Sequence, residues 1–261
     1  MIKELMLKFD YGWRMRGLWL VLHIISIYSA IMAPQYIGWA LLFAVMATAV
    51  GGYAGWHRLW AHKSYKTDKI RKYFLLWLGM YGCTGKPITV LAGHRLHHKY
   101  SDEDKDIHSP KHHKWWQNAL GMYSPMPMDK KIFKDLVMDP QVKFMQRYYF
   151  YLIFGTMLVL GIINPLLPGF IVGFTGVYMF WAGTFGIVHV AHIFGSKDHD
   201  TGDESRNQWL SAIITMGEGW HNNHHNNSLS YTTQEKWYQI DPTGLIIKYF
   251  LATDLKHDSV Y

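Results

Sequence analysis

Four stretches of this chain hold no Asp, Glu, Lys or Arg and are long enough, as helices, to cross most or all of a bilayer: residues 17–33, 36–54, 148–164 and 170–190. A helix rises about 1.5 Å per residue and a hydrocarbon core is about 30 Å thick, so uncharged runs of this length point to lipid. The composition agrees, because 261 residues that are 49% hydrophobic and 16% aromatic are rich for a soluble chain of that size. A mean hydropathy of -0.06 adds that polar segments alternate with the apolar ones. Pro34 and Gln35 break the first pair of runs, and "PLLPG" from Pro165 breaks the second. Each pair therefore reads as a tight membrane hairpin, the second with aromatic residues near its ends.

Four crossings put both termini and the long segment between the hairpins on one side. That side carries essentially all the Lys and Arg, whereas the hairpin tips carry none. The positive-inside rule makes it cytoplasmic, with the first span an internal signal-anchor, since nothing resembles a cleavable signal peptide. The apolar stretch Tyr73 to Gly82 is too short to cross and reads as interfacial or partly buried. No repeat beyond the hairpins and no linker divides the chain, so residues 1–261 are expected to form one membrane domain. Its cytosolic cap is expected to come from residues 55–147 and 191–261.

The single Cys83 excludes an internal disulfide and any thiolate cluster, so a metal here needs nitrogen and oxygen ligands. The net charge of +7 suits anionic head groups or phosphate-bearing substrates without choosing between them. The 16 histidines are more pointed, because most of them are grouped. "HRLWAH" holds His57 and His62, "HRLHH" holds His94, His97 and His98, and "HNNHH" holds His221, His224 and His225. On a helix, positions i, i+3 and i+4 share a face, so each of the last two groups can aim three imidazoles at one point. An α-helix turns about 140° between i and i+5, so His57 and His62 serve one centre only if the helix ends or bends there. Otherwise each serves a different metal, the more natural reading for eight imidazoles, which are too many for one ion and about right for two. Zinc, iron and copper all accept such ligands.

"HRLWAHKSYKT", "HRLHHKYSDEDKDIHS", "GEGWHNNHH" and the following "WYQIDPTG" resemble, in order and spacing, the membrane-bound fatty acyl desaturases, in the branch of acyl-CoA delta-9 (stearoyl-CoA-type) enzymes. The resemblance covers most of the chain from Tyr53 to Asp254. It implies an all-α integral membrane protein with four transmembrane helices and a cytosolic helical cap holding a histidine-rich di-metal site. It also implies a non-haem di-iron centre that inserts a cis double bond using O2 and two electrons. His57, His62, His94, His97, His98, His221, His224 and His225 are then the iron ligands. A ninth, His192, falls in "VHVAHIFG", where the family has Asn-x-x-x-His-x-x-Gly. Val188 occupies the Asn position and cannot hold a metal-bound water, which leaves His189 as a substitute or the contact missing. Asp106 in "DKDIHS" is expected to orient a ligand imidazole, and Glu218 in "GEGW" to do the same or cap the helix bearing His221. His108 stands between ligand and bystander, whereas His23, His112, His113, His199 and His257 read as bystanders.

An unactivated methylene is too weakly acidic for a side-chain base, so its oxidation calls for O2 chemistry at a metal. Histidines just beyond the cytoplasmic span ends let an acyl chain enter an apolar tunnel while O2 and electrons arrive from the cap. Ala49 and Val45, two and three turns from His57, are candidates for the tunnel's closed end, against ordinary small-residue packing. Lys63, Lys66, Arg71 and Lys72 read equally well as snorkelling cations. With no haem-binding signal and no cysteine cluster, electrons must come from a separate ferredoxin or b-type cytochrome. The expected partners are the lipid membrane and a long-chain acyl substrate, acyl-CoA or acyl-lipid, with no nucleic acid. The competing readings are a di-iron hydroxylase or alkane monooxygenase and, from another class, a non-catalytic zinc-binding membrane protein. The latter should place ionisable groups inside its spans, which here are almost wholly apolar.

Overall fold

The computed structural model describes residues 6–7, 12–120, 126–127 and 129–255; His257 lies outside them. The helices in chain order are α1 (Gly12–Met32), α2 (Pro34–Ala61), α3 (Lys69–Met80) and α4 (Pro87–Tyr100). Then come α5 (Trp115–Ala119), α6 (Lys130–Met138), α7 (Pro140–Ile163) and α8 (Pro168–His192). The last three are α9 (Trp209–Ile214), α10 (His221–Asn226) and α11 (Pro242–Ile246), which continues through Ile247–Leu251. Among the described residues, strand is confined to two short antiparallel pairs, Met6–Leu7 with Met126–Pro127 and Tyr65–Lys66 with Asp254–Leu255. The protein is all-α, and α1, α2, α7 and α8 are long and apolar enough to cross a membrane.

These four helices are longer than the uncharged runs within them, because charge ends a membrane span without ending a helix. α7 starts at Pro140, capped by the Asp139 carboxylate accepting from the backbone of Gln141 and Val142. α1 turns Leu20, Ile24, Ile27 and Ile31 outward at a spacing of three to four residues, the stripe that faces lipid. Its other face meets α8 at very close range. A Cβ on Gly169 or Gly173 would lie 2.1 or 2.4 Å from the hydroxyl of Ser29 or Ser26. Lipid offers no hydrophobic drive between helices, so such close backbone approach is what holds them together.

The stretch Tyr73 to Gly82 lies mostly on α3, which buries Leu75, Leu76, Gly79 and Met80. A Cβ on Gly79 would come within 2.2 Å of the Trp56 ring and 2.5 Å of the Gly51 carbonyl, so α2 and α3 touch backbone to backbone. The Trp56 indole donates to the Leu76 carbonyl at 2.8 Å, and the Trp19 indole to the Cys83 carbonyl at 2.8 Å. Cys83 also packs against Gly176, so the turn between α3 and α4 descends well into the four-helix bundle. α4 climbs back out and carries the second histidine group with it.

Candidate metal centre

Nine histidines gather into two groups at the ends of α2, α4, α8 and α10. His57, His62, His94, His98 and His224 form one group, and His97, His192, His221 and His225 the other. Within each group the available ring nitrogens all lie within 4.8 Å of one another. The two groups adjoin, with the rings of His98 and His225 stacked at 4.4 Å.

The division corrects two expectations. His57 and His62 do not fall in different groups. From Thr48 to Ala61 the helix α2 is π-wound, and the His62 N–H donates to the His57 carbonyl at 3.1 Å. An i→i+5 winding returns residue i+5 close to the azimuth of residue i, which brings the two rings to 4.9 Å. Conversely, neither HxxHH run aims at one point. His94 and His98 go to the first group and His97 to the second, while His224 goes to the first and His221 and His225 to the second. Each of these helices stands between the two groups and gives side chains to both.

The contacts are made by Nε2. His62 and His94 approach at 2.7 Å, and His224 lies 3.0 Å from both His57 and His98. In the second group His221 lies 3.1 Å from both His192 and His225. On three of the rings the opposite nitrogen, Nδ1, donates to a carboxylate, and on a fourth, His57, it lies in ion-pair contact with one. The pairs are His57 to Glu218 at 2.8 Å, His97 to Asp106 at 2.8 Å, His192 to Asp102 at 3.1 Å and His225 to Asp203 at 2.6 Å. That hydrogen bond selects the tautomer whose Nε2 carries a lone pair and no proton. Burial by itself would raise these carboxyls, but the imidazoles outweigh it and hold Asp102, Asp106 and Asp203 well below the usual range. Glu218 falls to about 2 against the same burial, chiefly through Arg58 and then His57. Burial in turn pushes His225 down to about 4, which keeps the ring neutral, the form a metal requires.

Asp102 and Asp203 were not singled out in the sequence. Both lie in acidic runs, "SDEDKD" and "DHDTGDES", where several carboxylates are equivalent until the chain is folded. Arg58 was missed too, and it is fully buried. It donates to Glu218 at 2.9 Å, to Asp241 at 2.7 and 3.1 Å, and to the Tyr231 carbonyl at 2.8 Å. Glu218 thus bridges His57 and Arg58, and Arg58 ties the first histidine motif to the chain around the third. His108 joins His97 and Asp106 in a third potential ligand set. His189 enters none of the sets and stacks on Phe185 at 5.9 Å. His23 accepts from the Trp181 indole at 3.1 Å at an exposed position between α1 and α8.

A narrow cavity of about 160 Å³ runs from the histidines into the bundle, lined by His57, His94, His97 and His221 at one end. Tyr53, Gly52, Trp19 and Met179 line it farther in, and Val188 and Ile187 form part of its wall on α8. Ala49 is fully buried and Val45 partly so, and neither lines this cavity.

The donor set fits bound cations. In the second group, three of four imidazoles commit their one proton to a carboxylate, so their Nε2 lone pairs face inward. Only His221 could offer a proton there, too few to relieve the repulsion in a buried site. In the first group only His57 faces a carboxylate, and the Nε2 contacts of His57–His224, His62–His94 and His98–His224 stand 2.7 to 3.0 Å apart. A metal about 2.0–2.1 Å from each imidazole nitrogen removes that repulsion.

The sequence profile described as "Fatty acid desaturase" matches residues 34–241. The chain belongs to the fatty acid desaturase family. It is 33% identical over 265 residues to the sn-1 stearoyl-lipid 9-desaturase of Anabaena variabilis, covering 95% of each chain. It is 34% identical over 245 residues to Delta-9 acyl-lipid desaturase 1 of Arabidopsis thaliana, covering 88% of this chain and 79% of the relative. Against Acyl-CoA desaturase 1 of Saccharomyces cerevisiae it is 32% identical over 230 residues, 83% of this chain and 45% of the relative. This desaturase is therefore an oxidoreductase and a membrane protein, and its histidine groups can hold metal ions.

Proposed function

We propose that this desaturase holds two irons and uses O2 to insert a cis double bond, at delta-9, into a saturated long-chain acyl group. The observation that carries the reading is the pairing of two converging Nε2 groups with a narrow internal cavity that begins among them. His57, His62, His94, His98 and His224 are assigned to one iron, and His97, His192, His221 and His225 to the other. Iron bound there supplies the O2-dependent oxidation that an unactivated methylene requires.

The chain's own residues do the rest. Asp102, Asp106, Asp203 and Glu218 retain the Nδ1 protons and so fix each ring with its lone pair inward. Tyr53, Trp56 and Met179 form an apolar passage that holds the acyl chain extended and keeps bulk water from the reacting carbons. Val45 and Ala49 stand below Gly52 on the same helix, in the direction an acyl chain would run. Removing two hydrogens while reducing O2 to two waters takes two further electrons and two protons. With one cysteine in the chain, those electrons are assigned to a separate ferredoxin or b-type cytochrome. The whole chain is read as one membrane desaturase domain, its cap formed by residues 55–147 and 191–261, with both termini and the metal centre on the Lys- and Arg-rich cytoplasmic side.

The acyl carrier is CoA or a membrane glycerolipid. Similarity over 95% of both chains to an enzyme named for a stearoyl-lipid supports the lipid as a second reading beside CoA. The test is expression with added iron in a host lacking its own desaturase, beside a His98→Ala control, with fatty acids profiled by mass spectrometry and the double bond located. A new delta-9 monounsaturated acid in the wild type alone is expected. Hydroxylated acids instead would move the protein to the hydroxylase reading. Separating the CoA and glycerolipid fractions before analysis identifies the carrier in which the product first appears.

A further inference from the structure

Between His192 and His221 the chain leaves the metal centre and returns to it, and on the way it exposes an unusual set of side chains. Ile193 and Phe194 follow α8 directly, and α9 turns out Trp209 (63% exposed), Leu210, Ile213 (66%) and Ile214. Four large apolar residues in six would be a liability on a water-facing cap. They are also continuous with surface that already faces lipid. A groove alongside α8 is lined by Ile27 of α1, Leu41 of α2 and Trp181 of α8, and equally by Leu210 and Ile214 of α9.

Depth points the same way. The Tyr178 hydroxyl donates to the Ile214 carbonyl. Tyr178 stands ten residues from the start of α8 at Pro168, on the hairpin-tip side. Ten residues of helix rise about 15 Å, half of a hydrocarbon core of about 30 Å. Even at the full reach of the tyrosine ring, the Ile214 carbonyl lies short of the far membrane surface. Backbone at that depth must find its hydrogen bonds within the protein. Every carbonyl from Ala212 to Met216 does so: Ala212 accepts from Gly217, Ile213 from Met216, Ile214 from Tyr178, Thr215 from Glu218 and Met216 from Thr243.

We infer that residues 209–217 form a membrane-inserted re-entrant turn, seated in the acyl-chain region of the leaflet on the metal-centre side and held against α8 by Tyr178. The turn is a fifth membrane contact beyond the four spans, and it anchors in lipid the segment that delivers His221, His224 and His225.

The test uses the full chain in phosphatidylcholine nanodiscs. The environment-sensitive fluorophore NBD is attached at Leu210→Cys and, separately, at Ile213→Cys. Cys83, the native cysteine, is buried and serves as the unlabelled background. Ile24→Cys, exposed on α1, marks lipid, and Asp104→Cys, with its side chain 99% exposed in the cap, marks water. Blue-shifted emission at 210 and 213, quenched by doxyl-labelled lipid to within about twofold of position 24, is the expected result. Emission and quenching like position 104, at either site in protein that retains its metal, would overturn the inference. Because the readout is depth and not turnover, that result would leave the desaturase reading untouched, and a failed desaturase assay would leave the inserted turn untouched.

Discussion

At the scale of single residues, the metal centre depends as much on carboxylates as on imidazoles. A ligand ring that loses its Nδ1 partner keeps its place in the sequence motif but can rotate or take the wrong tautomer. Asp203 makes the shortest of the four contacts, 2.6 Å to His225, and is itself fixed by the Ser205 and Thr201 hydroxyls at 2.6 Å. Asp203→Asn removes the acceptor charge and should weaken metal binding at the second group by about 10–100-fold. Metal analysis after dialysis against a graded chelator should then show one metal ion lost before the other. Two irons lost together, at the wild-type chelator concentration, would count against a separate second site. Protons compete for the same lone pairs. His225 is held down to about 4 by burial, so its unfolded-state pKa near 6.5 is the higher of the two. Its contribution to apoprotein stability is therefore intact above about 6.5 and lost as the pH falls toward 4. Thermal unfolding of the apoprotein should drop over that window, and His225→Gln should flatten the drop.

At the scale of elements, the decisive feature is the π-winding of α2. The spacing of His57 and His62 argued for two centres only under the assumption of an α-helix, and a winding of one more residue per hydrogen-bonded ring reverses the conclusion. A wider helix needs neighbours that fill the space around it, and α3 does so through the contact of Gly51 with Gly79. Gly79→Ala would drive a methyl group to 2.2 Å from the Trp56 ring and 2.5 Å from the Gly51 carbonyl. Overpacking of this kind costs about 1–3 kcal/mol. The expected outcome is a lower melting temperature together with loss of iron from the first group, since Trp56 adjoins His57. A variant with wild-type melting and two irons would show that α2 and α3 can separate without disturbing the histidines. The four apolar runs, by contrast, were readable as helices because charge-free length alone requires internal backbone pairing in lipid. Their ends were not, since α2 runs on past its apolar stretch into polar sequence and α7 begins in polar sequence ahead of its own.

At the scale of the whole molecule, the four spans, the descending α3–α4 turn and the third histidine segment close around one internal passage. Gly52 sits on its wall at the turn of α2 below Trp56 and Tyr53, and the nearest atoms to a Cβ there are those of Met179 and Thr48, at an ordinary contact distance of 3.6 Å. Gly52→Leu should therefore fold normally yet fill the passage, shifting products toward shorter acyl chains by a factor of ten or more, about 1.4 kcal/mol per tenfold change. The product chain-length distribution measures it. An unchanged distribution would place the acyl chain elsewhere.

The sequence by itself determined the class of molecule and the grouped histidines. Apolar run length answers to the thickness of a bilayer, and motif spacing answers to local chain geometry, both of which act over a few turns. Only the tertiary structure decided which imidazole joins which group, which of several equivalent aspartates holds each ring, and that Arg58 ties the first histidine motif to the third. Those outcomes depend on a local winding that propensity does not record and on approaches between residues up to 183 positions apart, where the chain has to be folded before one carboxylate differs from the next.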